Sequence, residues 1–395
     1  MKILHVCITS NVFNKHYAYQ DNLLTKYHSI LGHEVSILAP VYSEFDKNSG
    51  GIVCTKPGIE IIDYGITVYR LKPFLNPVMD RHIHWFRHFG QTIESVNPDF
   101  IFVHGVNSLN YRFLTRYKKK HPDVIIVFDS HADINNSCTN LLSKVYSRYI
   151  VRWFIVHRIV RLSDFFYGVV PARCAFLNEM YGIPKRKIHL LPMGADDEEM
   201  HLEKKLEIRN EVRKQLHLDN DDFVIVTGGK IDPLKNIHVL AEAVSKSNQT
   251  HIKLVIFGSI RDDMKELFNQ LQSSRIQYIG WIPSNEVYRY FYAAEMVMFP
   301  GLHSVLWEQA VASQVPCAFS KIAGFEHVDV GGNCIFMEEK TVGYYQSLIE
   351  RLYLDRNYYN RLYKCSRSEK TNQFLYSNIA QKVLDDAIKM QDRSS

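Results

Sequence analysis

The sequence predicts an α/β protein of two domains, each a parallel sheet covered by helices on both faces, and three observations predict it. The chain has 395 residues, too many for one comfortable core and right for two domains of roughly 150 to 200 residues. Short strand-like runs alternate with helical stretches from end to end, which is the rhythm of βαβ units. Turns rich in small residues, each followed by a helix, stand at the carboxyl ends of strands, where open α/β sheets bind ligands.

In the first half, strands are expected at residues 3–8, 34–38, 67–71, 100–103, 124–128, 165–169 and 188–191, with helices near 19–31, 82–95 and 141–162. A first domain, 1–196, closes at Gly194-Ala195-Asp196. The charged stretch 197–222 reads as an interdomain connection, and a second domain extends to 376. There strands at 223–227, 253–257, 276–278, 296–299 and 316–319 alternate with helices at 237–247, 263–272, 285–294 and 305–313. Helices dominate from 341 to 390.

Composition excludes several classes. Hydrophobic residues make up 46% and charged residues 23%, as in a globular chain and unlike a disordered or fibrous one. The longest apolar runs are of strand length, far below the ~20 residues that cross a bilayer. The N-terminus enters a strand pattern at once, without the regions of a signal peptide, so the expected location is the cytoplasm. The seven cysteines form no Cys-x-x-Cys pair, which fits reduced thiols and not a zinc site. Net charge is +5, but residues 1–187 hold 23 Lys/Arg against 14 Asp/Glu and the remainder 24 against 28. A basic first half suits contact with an anionic surface.

Gly228-Gly229-Lys230 follows the strand 223–227, and Lys235 precedes a helix. Glycines there admit a phosphate to backbone N–H groups, a helix start favours its charge, and two lysines fit a diphosphate clamp. An ordinary turn with solvated lysines is the alternative. The spacing is not that of a Walker nucleotide triphosphatase. Gly301-Leu302-His303-Ser304-Val305 follows the strand 296–299 in the same way. Glu308, one turn into the next helix, is placed to accept ribose hydroxyls or else is a surface glutamate.

These residues carry a resemblance to glycosyltransferase family 4. It rests on Lys2-Ile3-Leu4-His5-Val6 with Leu31-Gly32-His33-Glu34-Val35, on Gly194-Ala195-Asp196, on Gly229-Lys230 and Lys235, and on Gly258, Gly280 and Ala293-Ala294-Glu295. The resemblance implies the GT-B fold, two Rossmann-like domains facing across a cleft, with a C-terminal helix, about 377–390, crossing back onto the first domain. It implies retaining transfer of a sugar from a nucleotide diphosphate sugar to an acceptor hydroxyl. The donor is then held by Gly229, Lys230, Lys235, Gly258, His303, Ser304, Val305 and Glu308, without a metal cofactor. Residues 17–35, around Tyr19-Gln20-Asp21-Asn22-Leu23-Leu24, resemble a subgroup acting in bacterial surface polysaccharide assembly, where the acceptor is a lipid-linked glycan. A glycine pair common in the first loop of relatives is missing from Asn14-Lys15-His16-Tyr17.

Asp129-Ser130-His131 resembles the family's histidine beside the transferred sugar, and with Glu308 it supplies the residues expected to act in catalysis. Asp129, His131 and Asp133 form an Asp-x-His-x-Asp pattern that is alternatively a metal site. Residues 141–162 contain no acid and place Lys144, Arg148 and Arg152 among Tyr146, Tyr149, Trp153 and Phe154. That helix is either an interfacial one on anionic lipid or a solvated basic face with its aromatics turned inward. No nucleic-acid-binding module accompanies the charge. His84 and His88, at helical spacing, read as surface residues. One departure matters. Relatives carry two glutamates separated by seven residues; Glu308 matches the second, while Pro300 stands at the first. Three readings stay open: a transferase in which His303 contacts the donor where the missing glutamate would, a non-catalytic partner subunit, and a nucleotide-sugar 2-epimerase of the same fold.

Overall fold

The computed structural model describes residues 1–8, 12–16, 18–45, 52–75, 84–106, 110–132 and 140–394. The chain divides into two compact units, Met1–Pro192 with Ile379–Ser395, and Met193–Asn378.

In the first unit the strands are β1 (Lys2–Val6), β2 (Glu34–Pro40), β3 (Tyr42–Phe45), β4 (Ile52–Cys54), β5 (Gly58–Ile61), β6 (Thr67–Leu71), β7 (Phe100–Val103), β8 (Ile125–Ser130), β9 (Phe165–Gly168) and β10 (Ile188–Leu190). The main sheet has the order β10-β9-β8-β7-β1-β2-β6-β5. From Ile3 onward β1 is buried along its length, as are β7 and β8, because helices cover both faces of the sheet. The parallel expectation fails at one edge, where β5 pairs antiparallel with β6. Tyr64 and Gly65 both have positive φ, 62° and 71°, and two consecutive left-handed residues close a tight hairpin. β3 and β4, also unexpected, form a separate antiparallel pair.

The second unit contains β11 (Phe223–Ile231), β12 (Ile252–Ile260), β13 (Ile276–Tyr278), β14 (Met296–Phe299), β15 (Cys317–Ser320) and β16 (Cys334–Met337). They form one parallel sheet in the order β13-β12-β11-β14-β15-β16. Its core joins Ile225, Leu254 and Met298 of the sheet to Leu240, Val244 and Ile349 of the covering helices.

The charged stretch expected to connect the domains is docked on this unit. Helix Lys205–Gln215 places Arg209 and Arg213 on Glu295, with Arg213 Nη1 3.0 Å from Glu295 Oε2. The units part at Pro192–Met193 and not after Asp196. Ala195 is the reason: it bridges Leu375, and its N–H donates to Phe374 O at 2.8 Å. The last helix, Tyr376–Ser394, belongs to the first unit from Ile379 onward. There Tyr167 Oη donates to Asp386 Oδ2 at 2.9 Å, and His28 Nε2 lies 3.3 Å from Ala380 O. The cysteines among the described residues are free, and Cys138 lies outside them.

Candidate functional site

In the second unit the expected phosphate loop is a strand. β11 continues through Gly228-Gly229-Lys230, in register with Phe257, Gly258 and Ser259 of β12. Gly229 and Gly258 have φ of 102° and 118°, and a Cβ on Gly258 would lie 1.9 Å from Gly229 O. These glycines serve the close approach of two strand ends. Lys230, next in β11, is exposed.

The turn carrying Lys235 is built locally. Asp232 Oδ1 accepts the Leu234 N–H at 3.0 Å, Pro233 sets φ at the first position, and Asn236 is left-handed with φ 51°. This turn lies against the loop after β14. A Cβ on Gly301 would sit 2.2 Å from Lys235 Cα, so only glycine permits the approach. Asn236 Nδ2 donates to Pro300 O at 3.2 Å, and Lys235 Nζ donates to Leu302 O at 2.6 Å. Burial pushes the Lys235 ammonium below the usual lysine range, and Asp232 pulls it back only partly. Two segments separated by more than sixty residues thus meet at the carboxyl edge of one sheet.

Beyond that loop, Ser304 and Val305 are half-buried and lead into helix Leu306–Ala312. N–H groups at a helix start have no carbonyl behind them within the helix. Glu308 is not a surface residue: it is 0% exposed. Its Oε1 accepts from His303 Nε2 at 2.8 Å and from His327 Nε2 at 2.9 Å. Burial would raise this carboxyl, but the two imidazoles outweigh burial and hold it at about 2. Oε2 and His327 Nδ1 are buried and make no hydrogen bond. His303, expected to contact a donor, has a ring only 5% exposed and engages Glu308 instead. His327, from the turn Glu326–Val328, was not singled out in the sequence. It lies nineteen residues from Glu308 with β15 between them, and no periodicity links the two. The three side chains offer donor atoms within 4.8 Å of one another, a set able to hold a metal ion. Both Nε2 atoms aim at one oxygen at hydrogen-bond distance, as imidazole N–H donors do.

In the first unit Asp129 is the penultimate residue of β8 and is fully buried. His131 follows with its ring 46% exposed and its Nε2 3.7 Å from Asp129 Oδ2. Asp129 also accepts from Gly105 N–H at 2.8 Å and faces His104 Nδ1 at 3.0 Å. Asp133 lies outside the described residues, as does Tyr17. His84 and His88 are not a helical pair: both are left-handed, with φ of 50° and 61°, and precede helix Phe89–Val96.

The basic helix is not uniformly α. π-helical turns at Ser147–Val151 and Ile155–Ile159 interrupt it. Each π turn takes an extra residue. Lys144 and Arg148 are exposed, whereas Arg152 turns inward and donates to Glu179 O at 3.2 Å. Of the aromatics, Phe154 packs inward, edge-on to Tyr111, whereas Tyr146, Tyr149 and Trp153 face outward. Tyr149 is 68% and Trp153 57% exposed, beside exposed Leu141, Tyr146 and Ile150.

Comparison with known proteins matches residues 21–199 to the model described as Glycosyltransferase Family 4 and residues 208–369 to the model described as Glycosyl transferases group 1. An uncharacterized glycosyltransferase of Methanocaldococcus jannaschii is 21% identical over 52% of this chain and 55% of its own length. The chain therefore spans about half the length of that curated relative. Among solved structures, sucrose-phosphate synthase of Thermosynechococcus elongatus has a TM-score of 0.68 at 15% identity, over 100% of this chain and 99% of its own. HepE of Anabaena in complex with UDP has a TM-score of 0.69 at 12% identity, over 98% of this chain and 100% of its own.

Proposed function

This chain belongs to glycosyltransferase family 4, and on that premise we propose that it moves a sugar from a nucleotide diphosphate sugar to an acceptor hydroxyl with retention at the anomeric carbon. The observation that carries the reading is the meeting of the Lys235 turn with loop 300–304 at the carboxyl edge of the second sheet. A half-desolvated ammonium there, with exposed Lys230 and the N–H groups near Ser304, matches the charge of a departing diphosphate. Lys235 would exchange the Leu302 carbonyl for a phosphate oxygen. Glu308 Oε2, the oxygen that both imidazoles leave unused, would accept a ribose hydroxyl. No metal is assigned a part in the reaction. His131 would position the transferred sugar or stabilise developing charge on it. A UDP complex of a protein sharing this fold is consistent with such a donor.

The test is incubation with a panel of nucleotide sugars and acceptors. Transfer is expected, lowered roughly 100-fold or more in kcat by His131→Ala, with nucleotide affinity retained in calorimetry. Loss of affinity in step with kcat would remove His131 from the chemistry. Pro300 favours a second reading, a non-catalytic partner subunit. That reading wins if the protein binds donor without turnover while a co-expressed transferase gains activity. An isomerised sugar formed from donor alone would identify an epimerase.

The acceptor we assign is a lipid-linked glycan of cell-surface polysaccharide assembly, reached at the inner face of the membrane. Support comes from the outward aromatics beside Lys144 and Arg148. No described helix is long and apolar enough to cross a membrane. Anionic vesicles should bind the protein. Lys144→Ala and Arg148→Ala should each cost about 1 kcal/mol of that binding, screened by salt, and Trp153→Ser should cost at least as much. Arg152→Ala should leave it unchanged, since that guanidinium is spent on Glu179. Equal sedimentation of the Lys144/Arg148 double variant and the parent would rule out this surface.

A further inference from the structure

The first unit contains a line of buried imidazoles that sugar transfer as described does not use. His5 lies in β1, His28 in helix Gln20–Ile30 and His104 just past β7. From one end, His28 Nε2 faces Ala380 O at 3.3 Å, and His28 Nδ1 faces His5 Nε2 at 3.0 Å. His5 Nδ1 then faces His104 Nε2 at 3.1 Å, and His104 Nδ1 faces Asp129 Oδ2 at 3.0 Å. His5, His28 and Asp129 are 0% exposed and His104 is 6% exposed.

The ends of this line fix its protons. Ala380 presents a carbonyl, which only accepts, so His28 Nε2 must carry a hydrogen. Asp129 presents a carboxylate oxygen, and its other oxygen accepts from Gly105 N–H. The contacts Ala380–His28, His28–His5, His5–His104 and His104–Asp129 each need one proton, four in all. Three neutral imidazoles supply three. One ring therefore carries a second proton, or Asp129 is itself protonated. Burial would raise the Asp129 carboxyl, yet His104 and His131 beside it hold it below the ordinary carboxylate range. Burial pushes His5 well below its usual value and His28 down to about 3, so neither of them holds the charge. Only at His104 does the cation touch its counter-ion, and a buried charge needs that contact. The other titratable groups facing the line are Asp21, Cys7, His33 and His131. Burial drives Asp21, Cys7 and His33 toward their neutral forms.

We propose that His28, His5 and His104 form a proton-counting relay whose surplus proton makes His104 an imidazolium, and that His104 is a positioning residue keeping Asp129 ionised beside His131. The relay's service to transfer rests on the assignment of His131 to the sugar; the proton count stands without it. The terminal carbonyl sets that count. With leucine at position 28, His5 is free to adopt its other tautomer and donate Nδ1–H to His104 Nε2. His104 then satisfies Asp129 with a single proton. Glutamine at 28 preserves both a donor for Ala380 O and an acceptor for His5.

Nitrogen-15 NMR of the full chain, labelled at histidine, reads this directly at about pH 7.5. Expected in the parent are two protonated ring nitrogens on His104 and Nε2–H alone on His5 and His28. His28→Leu should reduce His104 to Nδ1–H alone, and His28→Gln should match the parent. A singly protonated His104 in the parent, or an unchanged His104 in His28→Leu, overturns the relay. Should His28→Leu fail to fold, the parent and His28→Gln spectra decide. In the pH profile of transfer, the acid limb should move up by about one unit or more in His28→Leu and stay in place in His28→Gln. A parent without transfer activity overturns the functional reading alone, and the spectra still decide the relay.

Discussion

Replacing Glu308 with alanine is expected to destabilise the second unit by about 3 to 5 kcal/mol, a fall in its Tm of roughly 6 to 20 °C. The carboxylate is fully buried and is the acceptor for both His303 Nε2 and His327 Nε2. Its removal strands two N–H groups and opens a cavity in one step. Glu308→Gln keeps Oε1 as an acceptor and should cost less, although its amide hydrogens would occupy the place where Oε2 now has no partner. The order alanine worse than glutamine, read by thermal unfolding, checks the arrangement; equal losses would mean that side-chain volume and not the shared oxygen matters. The sign with pH is also fixed. The carboxyl is lowered from 4.5 to about 2 on folding, so above about 2 the folded state binds fewer protons than the unfolded state. Its stabilisation is complete above about 4.5 and is lost as pH falls toward about 2. That acid loss should be present in the parent and missing in Glu308→Gln.

The parts of this molecule that follow local rules were legible in the sequence. The βαβ rhythm yields both sheets because strands buried on two faces, such as Phe100–Val103 and Met296–Phe299, are short unbroken apolar runs. Strand ends were harder to read. Gly228 and Gly229 look like a loop from composition, yet positive φ at Gly229 and Gly258 lets β11 and β12 remain paired to their ends. Side-chain partnerships across the fold left no periodic signal. His327 reaches Glu308, and His28 reaches both His5 and Ala380, only because the topology delivers them to one place. The segment 141–162 was only partly legible, because composition shows its charges and rings but not what they meet: Arg152 reaches Glu179 O, Tyr149 and Trp153 face outward, and no residue type announces the π turns.

Lys235→Ala is expected to weaken binding of a nucleoside diphosphate roughly 10- to 150-fold while leaving the nucleoside nearly unaffected, since a charge-assisted bond to phosphate contributes about 1.5 to 3 kcal/mol. The ammonium is set for this by its surroundings. It is half-buried, its turn is fixed by Asp232 and Pro233, and Gly301 brings the opposite loop to within contact of its backbone. Its present partner, Leu302 O, is a neutral carbonyl, and a diphosphate oxygen is a stronger acceptor for a cation already stripped of part of its water. Burial also lowers the pKa of this lysine, so diphosphate affinity should begin to fall at a lower alkaline pH than an ordinary lysine would give, and the alanine variant should lose that pH dependence. Calorimetry with nucleoside and nucleoside diphosphate separates the two contributions. A variant that loses both ligands equally has lost the turn and not a phosphate contact, and the clamp would have to be reassigned to Lys230 and the N–H groups before helix Leu306–Ala312.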